Sequence, residues 1–257
     1  MTIKTIAAIS SCLVALTATS LQADTLKIGI GAEPYPPFSS ADAAGNWKGW
    51  EIDIIGALCS EAKLDCKITP VAWDGLIAAL NSNKVDVIMA SLSITQDRAK
   101  QIDFTNKYYS TPSVVVGDKN ITMDATPGSL KGKILGVQMG SIHRAYALKH
   151  FPGAELKEYQ TQDEANQDLV AGRIDATQAD SLPMADFIAS ESGTNCCEVK
   201  GEVAPDIAVF GPGIGAGVRK SQPELTAKLN AAIDTIRSNG KYEEISKRYF
   251  NFDIYGG

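Results

Sequence analysis

Histidine is scarce in this chain, with His143 and His150 the two examples in 257 residues. The five cysteines form no C-x-x-C pair. Zinc centres draw on these two residue types at short spacing, so neither a metal site nor any cofactor is expected. Runs of lysine and arginine interleaved with aromatics are also missing, and the net charge is −6, which argues against nucleic acid as a partner. No G-x-S-x-G motif occurs. The glycine-rich "GPGIGAG" at 211–217 lacks the Lys-Ser/Thr of a phosphate loop. Past the first 23 residues, no apolar run approaches the length that spans a bilayer.

The first 23 residues read as a secretory signal peptide. Lys4 precedes the apolar "IAAISSCLVALTA", and "SLQA" ends in a small residue just before Asp24. Cleavage after Ala23 would leave an exported, periplasmic protein with Cys59, Cys66, Cys196 and Cys197. An oxidising compartment permits disulfides. Cys59 and Cys66 bracket "SEAKLD", a helix end followed by a turn, and a bridge closing that loop is expected. Cys196 and Cys197 are adjacent, and a vicinal disulfide and two free thiols both stay open.

From Leu26 onward, strand and helix signals alternate. "LKIGIG", "CKITPVA" and "VDVIMA" read as strands, and "GWEIDIIGALCSEA" and "WDGLIAALNSNK" as helices. This alternation predicts an α/β fold with a mostly parallel sheet. The pattern restarts after "DATPGSL" with "LKGKILGVQMG", "SIHRAYALKHF", "AELKEYQ", "TQDEANQDLVAGR" and "IDATQAD". At an offset of 89, Leu80 falls on Leu169, Asp86 on Asp175 and Ser91 on Asp180. Two lobes of similar build follow. "FTNKYYSTPSVVVG" and "GPGIGAGVRK" serve as crossings between them, which makes the first lobe discontinuous: 24–111 plus 216–257, with 112–215 as the second. "SQPELTAKLNAAIDTIRSNG" reads as a helix capped by Ser221 with Glu224 and stopped by Gly240.

In open α/β sheets, ligands sit at the carboxyl ends of strands, and three loops stand out there. In "SLSITQDR", Thr95 is a natural N-cap, which puts Arg98 in the first helical turn beside the hydroxyls of Ser91 and Ser93. Arg98 is then half of an anion site suited to a carboxylate, or a solvated surface residue. Asp180 in "TQADS" is an acceptor for an ammonium group, or a plain helix N-cap. In "AEPYPPFSS", Tyr35 and Phe38 offer flat faces, with Trp73 a further one; each is a ligand wall or part of the core.

Taken together, these residues resemble the periplasmic solute-binding proteins for polar amino acids. The nearest are the lysine/arginine/ornithine and histidine binders that serve ABC importers. "YPPF", "WEIDI", "SLSITQDR", "IDFTNKYY", "LKGKILGVQMGS", "AGRIDA" and "ISKRYFNFDIYGG" fall in that family's order. The resemblance implies a two-lobed type II periplasmic binding protein fold that closes on one L-amino acid and delivers it to a membrane permease. It implies a monomer, no enzymatic activity, and a Cys59–Cys66 pair. Arg98 and Ser93 would bind the α-carboxylate, helped by backbone amides near Ser141 and Ile142. Asp180 and Ser91 would bind the α-ammonium, and Tyr35 and Trp73 would pack on the ligand side chain. The chain departs from the family at Ala32, where basic-amino-acid binders carry an acid, at Ala90 for serine, at Ile142 for a hydroxyl residue, and at His143 for a neutral polar one. Glu33 is the neighbouring acid that would have to meet arginine, lysine, ornithine or histidine; otherwise the ligand would be an amino-acid derivative such as an opine. A periplasmic lyase on the same fold, with Glu33 or His143 as its acid, is the reading from another class.

Overall fold

The computed structural model describes residues 25–256, so the signal peptide assigned to 1–23 lies outside the described residues. In chain order the first group of elements is β1 (Leu26–Gly31), β2 (Ser40–Ala41), β3 (Trp47–Lys48), α1 (Trp50–Glu61), β4 (Cys66–Val71), α2 (Leu76–Asn81), β5 (Val87–Ile88), α3 (Gln96–Ala99) and β6 (Asp103–Tyr109). The second is β7 (Ser113–Asp118), β8 (Ile134–Gln138), α4 (Ile142–His150), β9 (Glu155–Tyr159), α5 (Gln162–Val170), β10 (Ala176–Asp180), α6 (Ser181–Ala189), α7 (Glu191–Cys196) and β11 (Cys197–Glu202). The chain then returns through α8 (Ile207–Phe210), β12 (Ile214–Val218), α9 (Pro223–Ser238) and α10 (Lys241–Ser246).

Two five-stranded sheets result, ordered β4-β1-β5-β12-β6 and β9-β8-β10-β7-β11. In each, four strands run in one direction and one, β12 or β7, runs against them. The unit β1-α1-β4-α2-β5 is repeated as β8-α4-β9-α5-β10, so the internal similarity of the sequence is one of topology. Each sheet carries apolar clusters on both faces. The first packs Trp50, Ile54, Phe38 and Ile233 on one side and Leu80, Val85 and Ile102 on the other. The second packs Leu135, Val137 and Phe151 on one side and Val116, Leu169 and Met184 on the other. Burial on both faces is why these strands read as unbroken apolar runs.

The matched acids Asp86 and Asp175 do the same job. The Asp86 carboxylate accepts from the Lys27 amide at 3.0 Å, while its own amide donates to the Lys27 carbonyl at 2.8 Å. Asp175 accepts from the Ile134 amide at 2.7 Å, and its own amide donates to the Ile134 carbonyl at 2.9 Å. Each acid thus pins the start of the first strand of its repeated unit. Asp175→Ala should lower stability by about 1–3 kcal/mol, because it leaves a partly buried amide unpaired. Asp86→Ala should cost at least as much, since Arg219 also loses its partner at 2.9 Å. Urea unfolding of both variants checks this; wild-type midpoints would remove the pinning role.

Three local readings need correction. "VDVIMA" is a strand only at Val87–Ile88, because Ser91 at φ 54 bends the chain away from the sheet. "FTNKYYSTPSVVVG" is two strands in two sheets, divided at Ser110–Pro112. Ser221 does not cap α9: Gln222 occupies the N-cap position without a side-chain bond, and Pro223, with its fixed φ, opens the helix. Cys59 and Cys66 form a disulfide across Cα atoms 6.2 Å apart, and Cys196 and Cys197 are joined as a vicinal pair. No helix among the described residues is long and apolar enough to cross a membrane.

Candidate ligand-binding site

The carboxyl ends of β1, β5, β8 and β10 open on one cavity. Its walls come from both sheets. Ten of the residues singled out from the sequence line it: Glu33, Tyr35, Trp73, Ser91, Ser93 and Arg98 from the side of the first sheet, and Ser141, Ile142, His143 and Asp180 from the side of the second. Phe38 does not, being fully buried in the core against Tyr109.

Arg98 is positioned by its loop. Thr95 caps α3, its hydroxyl accepting from the Arg98 amide at 3.3 Å. The guanidinium is buried, donates to the Ser93 carbonyl at 3.0 Å, and reaches across the cavity to the Gly140 carbonyl at 3.2 Å. The Trp73 ring lies 5.4 Å below its central carbon. Burial pulls its pKa down to about 10, so it remains a cation at neutral pH. The reading of Arg98 as a solvated surface residue is therefore overturned. The loop itself is stitched to the second crossing: the Ile94 amide donates to the Gly213 carbonyl at 2.9 Å, and Ser93 bridges Ile214. Gly211, at φ 71, sits so close that a Cβ there would lie 1.9 Å from the Ile94 carbonyl oxygen, so no larger residue fits.

Facing Arg98 is the start of α4. Ser141 is its N-cap, with a hydroxyl occupied in both directions: it accepts from the Arg144 amide at 3.1 Å and donates to the Gln138 carbonyl at 2.7 Å. The amides of Ile142 and His143, in the first turn, have no partner within the helix. A nine-residue helix start opposite a buried guanidinium is an anion-binding arrangement. It uses main-chain donors, so the apolar side chain of Ile142 does not weaken it.

Asp180 stands at the N-cap position of α6 but makes no capping bond. Its buried carboxylate instead accepts from the Tyr35 hydroxyl at 2.6 Å and lies 3.6 Å from Nε2 of His143. The plain N-cap reading fails, and a carboxylate turned into the cavity remains. Burial first, and the charge of Asp180 second, push the Tyr35 hydroxyl well above its ordinary range, so it stays a donor.

Sequence reasoning missed Glu51, which also lines the cavity. It accepts from the Ser91 amide at 2.8 Å and from the Tyr108 hydroxyl. Burial raises its pKa. The signal was present: Glu51 shares the buried face of α1 with Ile54, Ile55 and Leu58, at spacings of three, four and seven. A first-turn acid favourable to the helix dipole hid it. Gln162 was missed too. Its Nε2 donates to Asn166 at 3.0 Å and Thr177 at 2.9 Å, and Thr177 spends its own proton on the Gly136 carbonyl at 3.0 Å. The amide nitrogen is thereby held within its lobe by a buried network.

Comparison with known proteins matches residues 26–252 to the bacterial extracellular solute-binding proteins, family 3. The chain belongs to that family. It is 44% identical over 234 residues to the L-arginine-binding protein of Pseudomonas aeruginosa, covering 90% of each chain. It is 39% identical over 234 residues to the histidine-binding periplasmic protein of Salmonella typhimurium, again covering 90% of each. The solved structure of an ancestral arginine-binding protein bound to glutamine superposes with a TM-score of 0.81 at 31% identity, covering 89% of this chain and 98% of that one. The fold of this family 3 protein is thus that of the type II periplasmic binding proteins, and its close relatives are binding proteins rather than enzymes.

Proposed function

We propose that this protein is exported, closes its lobes 24–111 plus 216–257 and 112–215 on a basic L-amino acid, and delivers it to the permease of an ABC importer. The observation that carries the reading is the placement of opposite charges on opposite walls of one cavity. Arg98 with the α4 amides takes the α-carboxylate, helped by Ser93. Asp180, with Ser91 nearby, takes the α-ammonium. A zwitterion gripped this way touches both lobes, so it binds the closed arrangement more tightly than any open one. Tyr35 and Trp73 cover the aliphatic stem.

The cationic side chain is read by Glu51, with Glu33 as the second acid. Glu51 compensates for Ala32, where the basic-amino-acid binders have their acid. Names of relatives that bind arginine and histidine support a cationic ligand. Calorimetry with arginine, lysine, ornithine, histidine, glutamine and an opine tests the reading. Arginine should bind at micromolar levels or tighter, and no heat from any amino acid at millimolar levels would sink it.

Glu51→Gln separates specificity from stability. It should weaken arginine by about tenfold while leaving glutamine within about twofold. Because the folded pKa of Glu51 is raised, its neutral form favours the fold. That contribution is present at acid pH and lost as pH rises through the folded pKa. The variant should therefore melt higher than wild type at neutral pH, with the difference vanishing in acid. Equal loss for both ligands would remove Glu51 from side-chain recognition.

A further inference from the structure

The buried surroundings of His143 reach beyond the contacts described above. Gln178 Nε2 donates to Ser113 Oγ at 3.0 Å, which leaves the serine proton for Nδ1 of His143, also at 3.0 Å. Nδ1 is then the acceptor, and the ring proton sits on Nε2, the nitrogen 3.6 Å from Asp180 Oδ1. The opposite tautomer would turn a bare lone pair on a carboxylate. All four side chains are buried, and Gln178 Oε1 has no partner.

That unpaired oxygen has a use. When His143 gains its second proton, Nδ1 becomes a donor and Ser113 must accept and pass its own proton on. Turning the Gln178 carboxamide by half a turn brings Oε1 to Ser113. The chain of bonds then runs from His143 to Ser113 to Gln178, the reverse of its neutral direction, with one amide atom of Gln178 unpaired either way. The imidazole can therefore take up charge in a buried site without stranding a further polar group.

We propose that His143 is a positioning residue that makes ligand binding depend on pH: neutral, it leaves Asp180 to the ligand's α-ammonium, and protonated, it takes that carboxylate for itself. This rests on the reading that Asp180 receives the ammonium. The other charged groups leave His143 as the competitor. Tyr35, across the cavity, is kept neutral by burial and only donates to Asp180. Arg98 and Glu51 feel the charge of Asp180 through space. Phe210 of α8 covers the ring at 6.4 Å without charge, and Arg144, next along α4, is paired with Glu158 at 2.7 Å. An imidazolium and an ammonium are two cations for one carboxylate, so each weakens the other by the same factor.

The test is the Kd of L-arginine, whose guanidinium stays charged throughout, between about pH 8 and about pH 5. For wild type, Kd should rise about tenfold or more as pH falls. His143→Gln keeps a polar side chain but cannot titrate. Its Kd should change less than about twofold over the range. Calorimetry near pH 6 in two buffers of different ionisation heat should show wild type expelling part of a proton on binding, and His143→Gln none. Ser113→Ala, which keeps the histidine but breaks the relay, should move the midpoint of the profile, and melting curves establish that each variant is folded. A flat wild-type profile overturns the proposal, as does an unchanged slope in His143→Gln, which would make Glu51 the titrating group. If wild type binds no amino acid even at the upper pH, the reading of the site itself fails, and this inference with it.

Discussion

Arg98→Met is expected to weaken L-arginine binding by about 3 kcal/mol, more than a hundredfold in Kd, while the protein stays folded. The loss is large because the guanidinium is buried and has preorganised partners. Its bonds to the Ser93 and Gly140 carbonyls and its seat over Trp73 fix it before any carboxylate arrives. The fold does not need it. Burial lowers its pKa, so the charged form is held against a desolvation penalty in the native state. Methionine fills much of the same volume without that penalty. The melting temperature should stay level or rise. A large fall in melting temperature, or an unchanged Kd, would recast Arg98 as a structural residue.

Asp180→Asn is expected to cost a comparable factor, about a hundredfold for arginine, through the other end of the same ligand. Asparagine keeps a carbonyl oxygen for the Tyr35 hydroxyl and removes no helix cap, since the carboxylate caps nothing. What disappears is the charge proposed to answer the α-ammonium. A ligand built like arginine without its α-amine should therefore bind wild type and Asp180→Asn within about threefold of each other. Arginine should separate them. If both ligands lose equally, Asp180 acts by shaping the cavity rather than by pairing with the amine.

The sequence announced these two groups only in part. Arg98 and Asp180 sit where a strand or its loop hands over to a helix, positions that the topology sends to one end of each sheet, so their address could be read from local signals. Their chemical state could not. Whether Arg98 was solvated and whether Asp180 capped α6 depended on Gly140, Trp73 and Tyr35, which arrive from distant parts of the chain. The repeat of Asp86 and Asp175 was legible as spacing, but its meaning, an acid pinning the first strand of each repeated unit, needed the register. Glu51 shows the reverse difficulty. Its buried face was written in the spacing of α1, yet a first-turn acid already had a local explanation. The network of Gln178, Ser113 and His143 joins two strands and a helix that no local pattern links. Ser221 was misread because the Ser-x-x-Glu pattern matches a capping box, while Pro223 fixes the helix start one residue further on.

On the proposed reading the cavity grips the parts common to every free amino acid, with Arg98 and the start of α4 on the carboxylate. The most direct measurement is calorimetric titration of the wild-type protein with L-arginine and with its decarboxylated counterpart, which keeps the guanidinium and one amine but has no carboxylate. L-Arginine should bind saturably, and the decarboxylated ligand at least a hundredfold more weakly, about 3 kcal/mol. Equal affinity for the two would contradict it, because the anion site built around Arg98 would then have no part in holding the ligand.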